Sequence, residues 1–417
     1  MQMNIEWTRH KKVLSFQQNL KIACLHENWK GFLMLRIAVV GTGGISNMHI
    51  QSYLAFPDRC RIVALVDIFP EKAQEKKERY GLTDAQVYDD HLKILDRNDI
   101  DLVDVCTPPY VHAEISINCL KAGKNVLCEK PMAASLEECD AMLRAANESG
   151  KLLSIVAQNR FRTGYMNLKK ILESGLAGEI VHAQADSFWW RGHSYYDLWW
   201  RGTWEKEGGG CTLNHAVHHI DMMLWMMGMP EEVQAVMSNT SHDNAEVEDL
   251  SIAIFRYAGG ALGQITSSVV HHGEEQQIVL QGKKARVSAP WKVSASTAMS
   301  NGFPERNEKL EKEIDEYYQS LPKQKYEGHT PLIDNVMRAL ETGGTPLVTA
   351  EDGRRTLEII TAIYESASTR RPVALPLKPD DLFYTVEGIR NSVPHFHEKT
   401  ASIENFDNEN ITTGRNV

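Results

Sequence analysis

From Arg36 onward the chain alternates short apolar runs with amphipathic stretches. RIAVV at 36–40 is a continuous apolar run of strand length, followed at once by glycines and a helical segment through Tyr53. The cycle then repeats. RIVALVD at 61–67 reads as a second buried strand, Pro70 opens a helix over PEKAQEKKERYG, and Gly81 ends it. DLVDVCTP (101–108) and NVLCEKP (125–131) read as two more strands, helices are predicted over 110–122 and 135–149, and LLSIVAQ (152–158) closes the series. Strands alternating with helices indicate a parallel sheet covered on both faces, hence a doubly wound α/β fold.

Beyond Asn159 the texture changes. A helix near 166–174 stops at Gly175, and strand-like segments follow at 180–188, 232–238, 250–257, 261–269, 276–281 and 285–288. Turn signals such as AGG (258–260) and GKK (282–284) join several of them, which suits an open, mostly antiparallel sheet with helices on its other face. Two late helices, about 330–341 and 351–369, are expected to pack back across the first domain. The charged stretch 304–321 reads as a solvated helical insertion, and the residues from Ser392 lack periodicity and read as a mobile tail. The predicted organisation is an extension over 1–33 ahead of a functional start at Met34, a nucleotide-binding domain over 34–157, a substrate and oligomerisation domain over 158–376, and a tail over 377–417.

Composition narrows the class. With 417 residues, 24% charged and 42% hydrophobic, the chain has the balance of a globular protein of about two domains. A formal charge of −10 argues against a general affinity for nucleic acid, and no apolar run approaches the roughly 20 residues needed to span a bilayer. The seven cysteines (Cys24, Cys60, Cys106, Cys119, Cys128, Cys139, Cys211) are scattered, odd in number and never spaced as CxxC. That pattern suits free thiols in a reducing cytoplasm rather than a disulfide framework or a cysteine zinc site.

In GTGGIS (41–46), Gly41 and Gly43 fill the first two glycine positions of GxGxxG, allowing a tight turn and close approach to a pyrophosphate at the following helix N-terminus. Ser46 stands at the third position, where a small residue still permits close helix packing. Asp67 ends the second strand, where an acidic group meets the adenosine ribose hydroxyls or else serves as a plain turn residue. A carboxylate there repels a 2′-phosphate and no arginine follows it, so NAD is expected over NADP.

These motifs resemble those of the Gfo/Idh/MocA family, the glucose-fructose oxidoreductase and inositol dehydrogenase group. The matching pieces are GTGGIS with His49, VDIFPEKA (66–73), CTPPYVHAEI (106–115), GKNVLCEKPMAAS (123–135), the GGG...H..D stretch at 208–221, and PLVTAEDGRRTLEIITAIYESA (346–367). The resemblance covers roughly residues 34–376. It implies an N-terminal Rossmann domain, a C-terminal α/β domain with an open sheet, nicotinamide-dependent oxidation or reduction of a sugar or cyclitol, and dimers or tetramers built on that sheet. It places the cofactor against Gly41, Gly43, Gly44, Ile45, Asp67, Thr107, Pro108, His112, Glu129 and Lys130.

Lys130, in EKP at the end of a parallel strand, stands at the edge where open α/β sheets bind ligands. The family assigns the matching lysine to the substrate hydroxyl. If the chain after GGG is helical near Asn214, then Asn214, His218 and Asp221 share one face at i, i+4 and i+7, and His215 and His219 point elsewhere. His218 suits a base that takes the hydroxyl proton as hydride leaves the same carbon, with Lys130 and Asn214 orienting that hydroxyl. Many family members carry aspartate at the Asn214 position, so His218 here acts without an aspartate partner. Asp221 either orients His218 or pairs within the domain interface. A zinc reading of His215 and His219 lacks the glutamate of HExxH and a third ligand, so no metal is expected.

FWWRGHSYYDLWWRGTW (188–204) concentrates five of the nine tryptophans. Tyr195, Trp199, Arg201 and Trp204 are therefore candidates to stack on and read a sugar, the alternative being an oligomer interface. Asn159 and Arg160 resemble family substrate contacts. The leading expectation is an NAD-dependent sugar or cyclitol dehydrogenase. Alternatives are a hydrolase or lyase that oxidises its sugar transiently on retained NAD, and, ranked last, a dinucleotide-sensing regulator.

Overall fold

The structure, a computed structural model, describes residues 34–404 and 406. The expectation for 1–33 lies outside the described residues. The first unit runs β1 (Leu35–Val40), α1 (Ser46–Leu54), β2 (Cys60–Val66), α2 (Pro70–Arg79), β3 (Gln86–Tyr88), β4 (Leu102–Val105), α3 (His112–Lys121), β5 (Asn125–Cys128), α4 (Leu136–Ser149) and β6 (Leu153–Ile155). Its six strands lie in the order β3-β2-β1-β4-β5-β6, all parallel. The strands read as unbroken apolar runs because helices cover both faces: every residue of β4 is buried. β3 escapes the pattern because it has only three residues and none is buried.

The second unit adds α5 (Thr163–Ser174), β7 (Ile180–Phe188), α6 (Cys211–Asn214), α7 (Val217–Met227), β8 (Glu232–Ser238), β9 (Leu250–Arg256), β10 (Leu262–Ser268), β11 (Gln276–Gly282), β12 (Ala285–Ala289), β13 (Lys292–Ala298), β14 (Pro304–Arg306), α8 (Glu308–Ser320), α9 (His329–Thr342), α10 (Ala350–Thr369), β15 (Val373–Ala374) and α11 (Val386–Ser392). Nine strands form one sheet in the order β14-β13-β12-β11-β7-β10-β9-β8-β15. β7 and β10 pair parallel and the remaining neighbours antiparallel. Along β9 buried and exposed residues alternate, so one face meets helices while the other presents Val236, Ile252, Ile254 and Leu262 outward.

Two late helices tie the units together. In α9, Thr330 meets Ser52 of α1 at 3.0 Å, and Glu341 accepts two hydrogen bonds from Arg59 at 2.9 Å each. A reciprocal capping box of Thr349 and Asp352 starts α10. This helix then runs against α4 and β6 of the first unit and against α7 and β8 of the second. Gly353 permits the approach, since a Cβ there would stand 2.6 Å from Ile155 Cγ1. Among the described residues no helix is long and apolar enough to cross a membrane.

Two expectations are corrected. The 304–321 stretch is not simply solvated: α8 docks on β13 through buried Ile314, Trp291 stacks on Tyr318 at 3.7 Å, and Trp291 Nε1 donates to Asp315 at 2.7 Å. Nor are the described residues after Ser392 loose, the rest of the expected tail lying outside the described residues. Residues 393–404 lie against the second unit, where Phe396 N donates to Glu246 O at 2.9 Å, Thr400 N and Ala401 N donate to Asn244 Oδ1 at 2.9 Å each, and Ile403 bridges Leu198.

Candidate active site

The first turn builds the cradle. Gly41 takes φ +92°, and a Cβ there would stand 2.6 Å from Cys106 O, so only glycine lets β1 pass this close to the end of β4. At Gly43 a Cβ would meet nothing within 4 Å, which leaves open space over the start of α1, where Ser46 Oγ donates to Gly43 O at 2.7 Å. Asp67 is fixed at the edge, accepting from Thr42 N at 2.7 Å, Thr42 Oγ1 at 2.8 Å and Phe69 N at 3.0 Å. Thr107 Oγ1 is buried without a partner at the end of β4. Glycine turn, open space, carboxylate and orphaned hydroxyl together fit a dinucleotide along Gly43, Gly44, Ile45, Thr107 and Pro108.

His112 and Glu129, expected at the cofactor, are buried and each is held by protein partners. His112 braces the two adjoining turns through Pro131 O at 2.8 Å and Thr107 O at 2.7 Å. His49 Nδ1 donates to Asp104 at 2.8 Å and Nε2 to Glu129 at 2.8 Å. Burial opposes charge on His49, yet Asp104 beside it holds its imidazole well above the ordinary pKa. Burial alone would raise Glu129; the imidazoles of His329 and His49 outweigh it and keep the carboxyl well below its usual range. The residue that follows Glu129 is thus set on a rigid, charged foundation.

That residue is Lys130, whose Nζ donates to Asn214 O at 3.1 Å. Burial lowers its pKa, with Glu129 acting against the shift. His218 makes no hydrogen bond to a described residue, and burial followed by the Lys130 charge keeps its imidazole well below 6.5, hence neutral.

The single helical face expected for Asn214, His218 and Asp221 does not form. α6 ends at Asn214, and Ala216 N reaches back five residues to Cys211 O at 2.9 Å, a wide turn that rotates α7 relative to α6. Asn214 Nδ2 turns back to Gly209 O at 3.1 Å, so its main-chain carbonyl rather than its side chain meets Lys130. Glu248 holds this short element, accepting from Gly210 N at 3.0 Å, Thr212 N at 2.9 Å and Tyr364 Oη at 3.1 Å. The same turn brings His215 inward, contrary to expectation. Its ring lies 5.6 Å from Trp189 and 5.7 Å from Tyr195, its Nδ1 is buried without a partner, and burial followed by Arg191, Arg201 and Lys130 keeps it neutral. His219 does point away, meeting Tyr165 Oη at 3.4 Å.

Arg160 and Asp221, both expected at the substrate, pair with each other, and Asp221 also lines a crevice with Lys130 and His218. Arg160 donates to the two Asp221 oxygens at 2.9 and 2.7 Å in a buried, bidentate ion pair. Asn159 lines a crevice with Lys130 and His218. Trp204 also leaves the candidate set: its ring packs edge-on to Tyr364 at 5.0 Å and its Nε1 donates to Pro394 O at 3.1 Å. Tyr195 and Arg201 pack on each other, and Trp199 lies nearby in the chain. Arg201 lies over Tyr195 at 4.1 Å and pairs with Glu207 at 2.8 Å, and Trp199 meets Tyr110 of the first unit at 6.4 Å. Arg191, which lies over Tyr195 at 5.6 Å, belongs to the same 188–204 stretch but was not among the named candidates.

Two family profiles match the chain, the oxidoreductase-family NAD-binding Rossmann fold over residues 35–157 and the oxidoreductase-family C-terminal alpha/beta domain over residues 169–375. The chain belongs to the Gfo/Idh/MocA oxidoreductase family. It is 28% identical over 353 residues to myo-inositol 2-dehydrogenase of Thermotoga maritima, covering 82% of this chain and 98% of that protein. It is 29% identical over 359 residues to scyllo-inositol 2-dehydrogenase (NADP(+)) of Bacillus subtilis, covering 82% and 96%. Among solved structures, the WlbA dehydrogenase from Chromobactrium violaceum, in complex with NADH and UDP-GlcNAcA, matches with a TM-score of 0.72 and 31% identity over 83% of this chain and 97% of that one.

Membership in the Gfo/Idh/MocA family gives the Asn214 departure its context. An asparagine cannot hold a proton, and here its side chain is turned to Gly209. That leaves Lys130, His218 and the inward-turned His215 as the titratable side chains around this turn.

Proposed function

We propose that this Gfo/Idh/MocA oxidoreductase is an NAD-dependent dehydrogenase of a secondary hydroxyl on a sugar or cyclitol, with Lys130 and His218 as catalytic residues. The observation that carries the reading is a lysine ammonium, anchored through one N–H to Asn214 O, lining the same crevice as an unpartnered neutral imidazole, His218. Two N–H groups of Lys130 remain to grip the substrate oxygen. His218 takes the hydroxyl proton as the C–H bond breaks, and in the reverse direction returns it. Lys130 stabilises the alkoxide character that develops on the oxygen in between. Bound NAD supplies the hydride acceptor.

Asp67, with no arginine after it, supports NAD over NADP. Tyr195, Trp199 and Arg201, joined by His215 and Arg191, suit the C–H faces and hydroxyls of a ring. The inositol dehydrogenases and the UDP-GlcNAcA complex among the relatives support a polyhydroxylated substrate. The exposed apolar face of the nine-stranded sheet, with Val236 and Ile254, supports a homodimer or homotetramer. Six buried, unbridged cysteines among the described residues support a reducing cytoplasm.

The test follows NADH absorbance with a panel of inositols and pyranoses. Lys130→Ala and His218→Ala are each expected to lower kcat by about 10²–10⁴-fold with NADH affinity kept. Unaltered turnover in both variants overturns the mechanism. Transient oxidation on retained NAD would instead show substrate cleavage without net NADH release.

A further inference from the structure

The shared family fold ends at residue 375 in the profile match, and relatives matched over 98% of their length use 82% of this chain. The ordered segment beyond, residues 393–404, is therefore an addition to that fold, and its attachments converge on one place. Ile403 N donates to Asp197 O at 2.8 Å, and Trp199 N donates to Ile403 O at 2.9 Å, a two-bond bridge onto the 195–201 segment. Lys399 Nζ donates to Tyr196 O. Asn244 is the knot: its Oδ1 accepts from Thr400 N and Ala401 N, and its Nδ2 donates to Ala401 O at 3.0 Å and to Asp197 Oδ1 at 2.9 Å. Asn244 is 3% exposed, with every polar valence of its amide directed to the strap or to the 195–201 segment.

The segment so held carries Tyr195 and Trp199, two of the residues proposed above to meet the substrate. Tyr195 contacts His215 and Arg201, and Trp199 reaches across to Tyr110 of the first unit, with Lys206 Nζ over its ring at 4.6 Å. Tyr110 stands two residues after Pro108, so the Tyr110–Trp199 contact joins the end of the cofactor cradle to the 195–201 segment. Residues 193–201 carry little regular structure of their own beyond one short turn. Without an external tie their main chain would pay the full ordering entropy on each binding event.

We propose that residues 393–404 are a specificity strap, which fixes the main chain of 196–199 so that Trp199 stays against Tyr110 and sets the size of sugar admitted to the site. The strap touches neither cradle nor Lys130; it acts by positioning. The proposal rests on the dehydrogenase reading for its substrate but not for its structural claim.

The experiment uses the full chain with Ile403→Pro, which removes the amide that donates to Asp197 at a 40% exposed position, beside Ile403→Ala, which keeps that amide. A second variant ends the chain after Ser392. Hydrogen exchange at 196–199 and KM and kcat for the best-used sugar of the panel are measured together, with NADH affinity as the check of the cradle. Ile403→Pro and the truncation are expected to speed exchange at 196–199, to raise KM about tenfold with kcat within about threefold, and to admit larger sugars, while Ile403→Ala behaves as wild type. Unchanged exchange in Ile403→Pro overturns the proposal, and so does faster exchange with unchanged KM and sugar preference. If the unaltered chain oxidises no sugar, the functional reading fails, and the exchange result alone decides whether the strap holds that segment.

Discussion

Lys130 and His218 are both pulled toward their neutral forms by burial, and this shared cause sets the working pH range. A base held below 6.5 stays ready when the solution turns mildly acidic, so the acid limb of kcat/KM for oxidation is expected below about 6.5, and His218→Gln removes that limb. Measuring the pH profile of both proteins checks it. Asp67→Ser is expected to weaken NAD about tenfold or more and to narrow the preference over NADP, read from the two dissociation constants. At this scale the sequence was legible where a motif fixes both residue and neighbourhood: Asp67 and Lys130 stand at strand ends whose positions follow from periodicity. It was illegible where a main-chain detail decides. His215 turns inward because one amide closes a five-residue turn, and Arg160 with Asp221, two charges 61 residues apart, gives no local sign that they will meet.

Among the elements, α6 is the smallest with the greatest leverage, since its last carbonyl holds Lys130 and its first amides hang on Glu248. Burial raises the Glu248 carboxyl to about 7. Glu248→Ala strands two buried N–H groups and Tyr364 Oη, each worth about 1–3 kcal/mol. A lowered Tm together with a lowered kcat is the expected outcome, by calorimetry and turnover. Arg160→Ala leaves Asp221 buried and unpaired, at a cost of about 3–5 kcal/mol, seen as a drop in the denaturant midpoint. Long elements announced themselves through period 3.6 or 2. β13, with Ala295 its one buried residue, and the strap, held through backbone atoms and one asparagine, carry no apolar rhythm to read.

For the whole molecule, five buried histidines, His112, His215, His218, His219 and His329, are held below their ordinary value. On unfolding each takes up a proton once the pH is below about 6.5, so the unfolded state binds more protons there and stability falls as acidity rises. Their contribution is complete above that value. His49 works oppositely, its contribution being full below about 6.5 and lost only as pH climbs through its raised folded value, and the Glu248 and Glu365 carboxyls, raised to about 7, likewise favour the folded state on acidification through that range. The majority decides: Tm is expected to drop on acidification from about pH 7.5 to about pH 5.5, by scanning calorimetry. The two-unit architecture was legible because the change in texture near Asn159 follows a real change from parallel to mostly antiparallel pairing.

The long helix Ala350–Thr369 lies on Leu136–Ser149 and Leu153–Ile155, about two hundred residues earlier in the chain. During synthesis the cradle strands leave the ribosome with that flank, including Ile155 beneath Gly353, still bare. The nucleotide-binding unit therefore waits on nearly the last of the shared fold to finish its own surface, and the nascent chain is at its stickiest when it is already most of the way made.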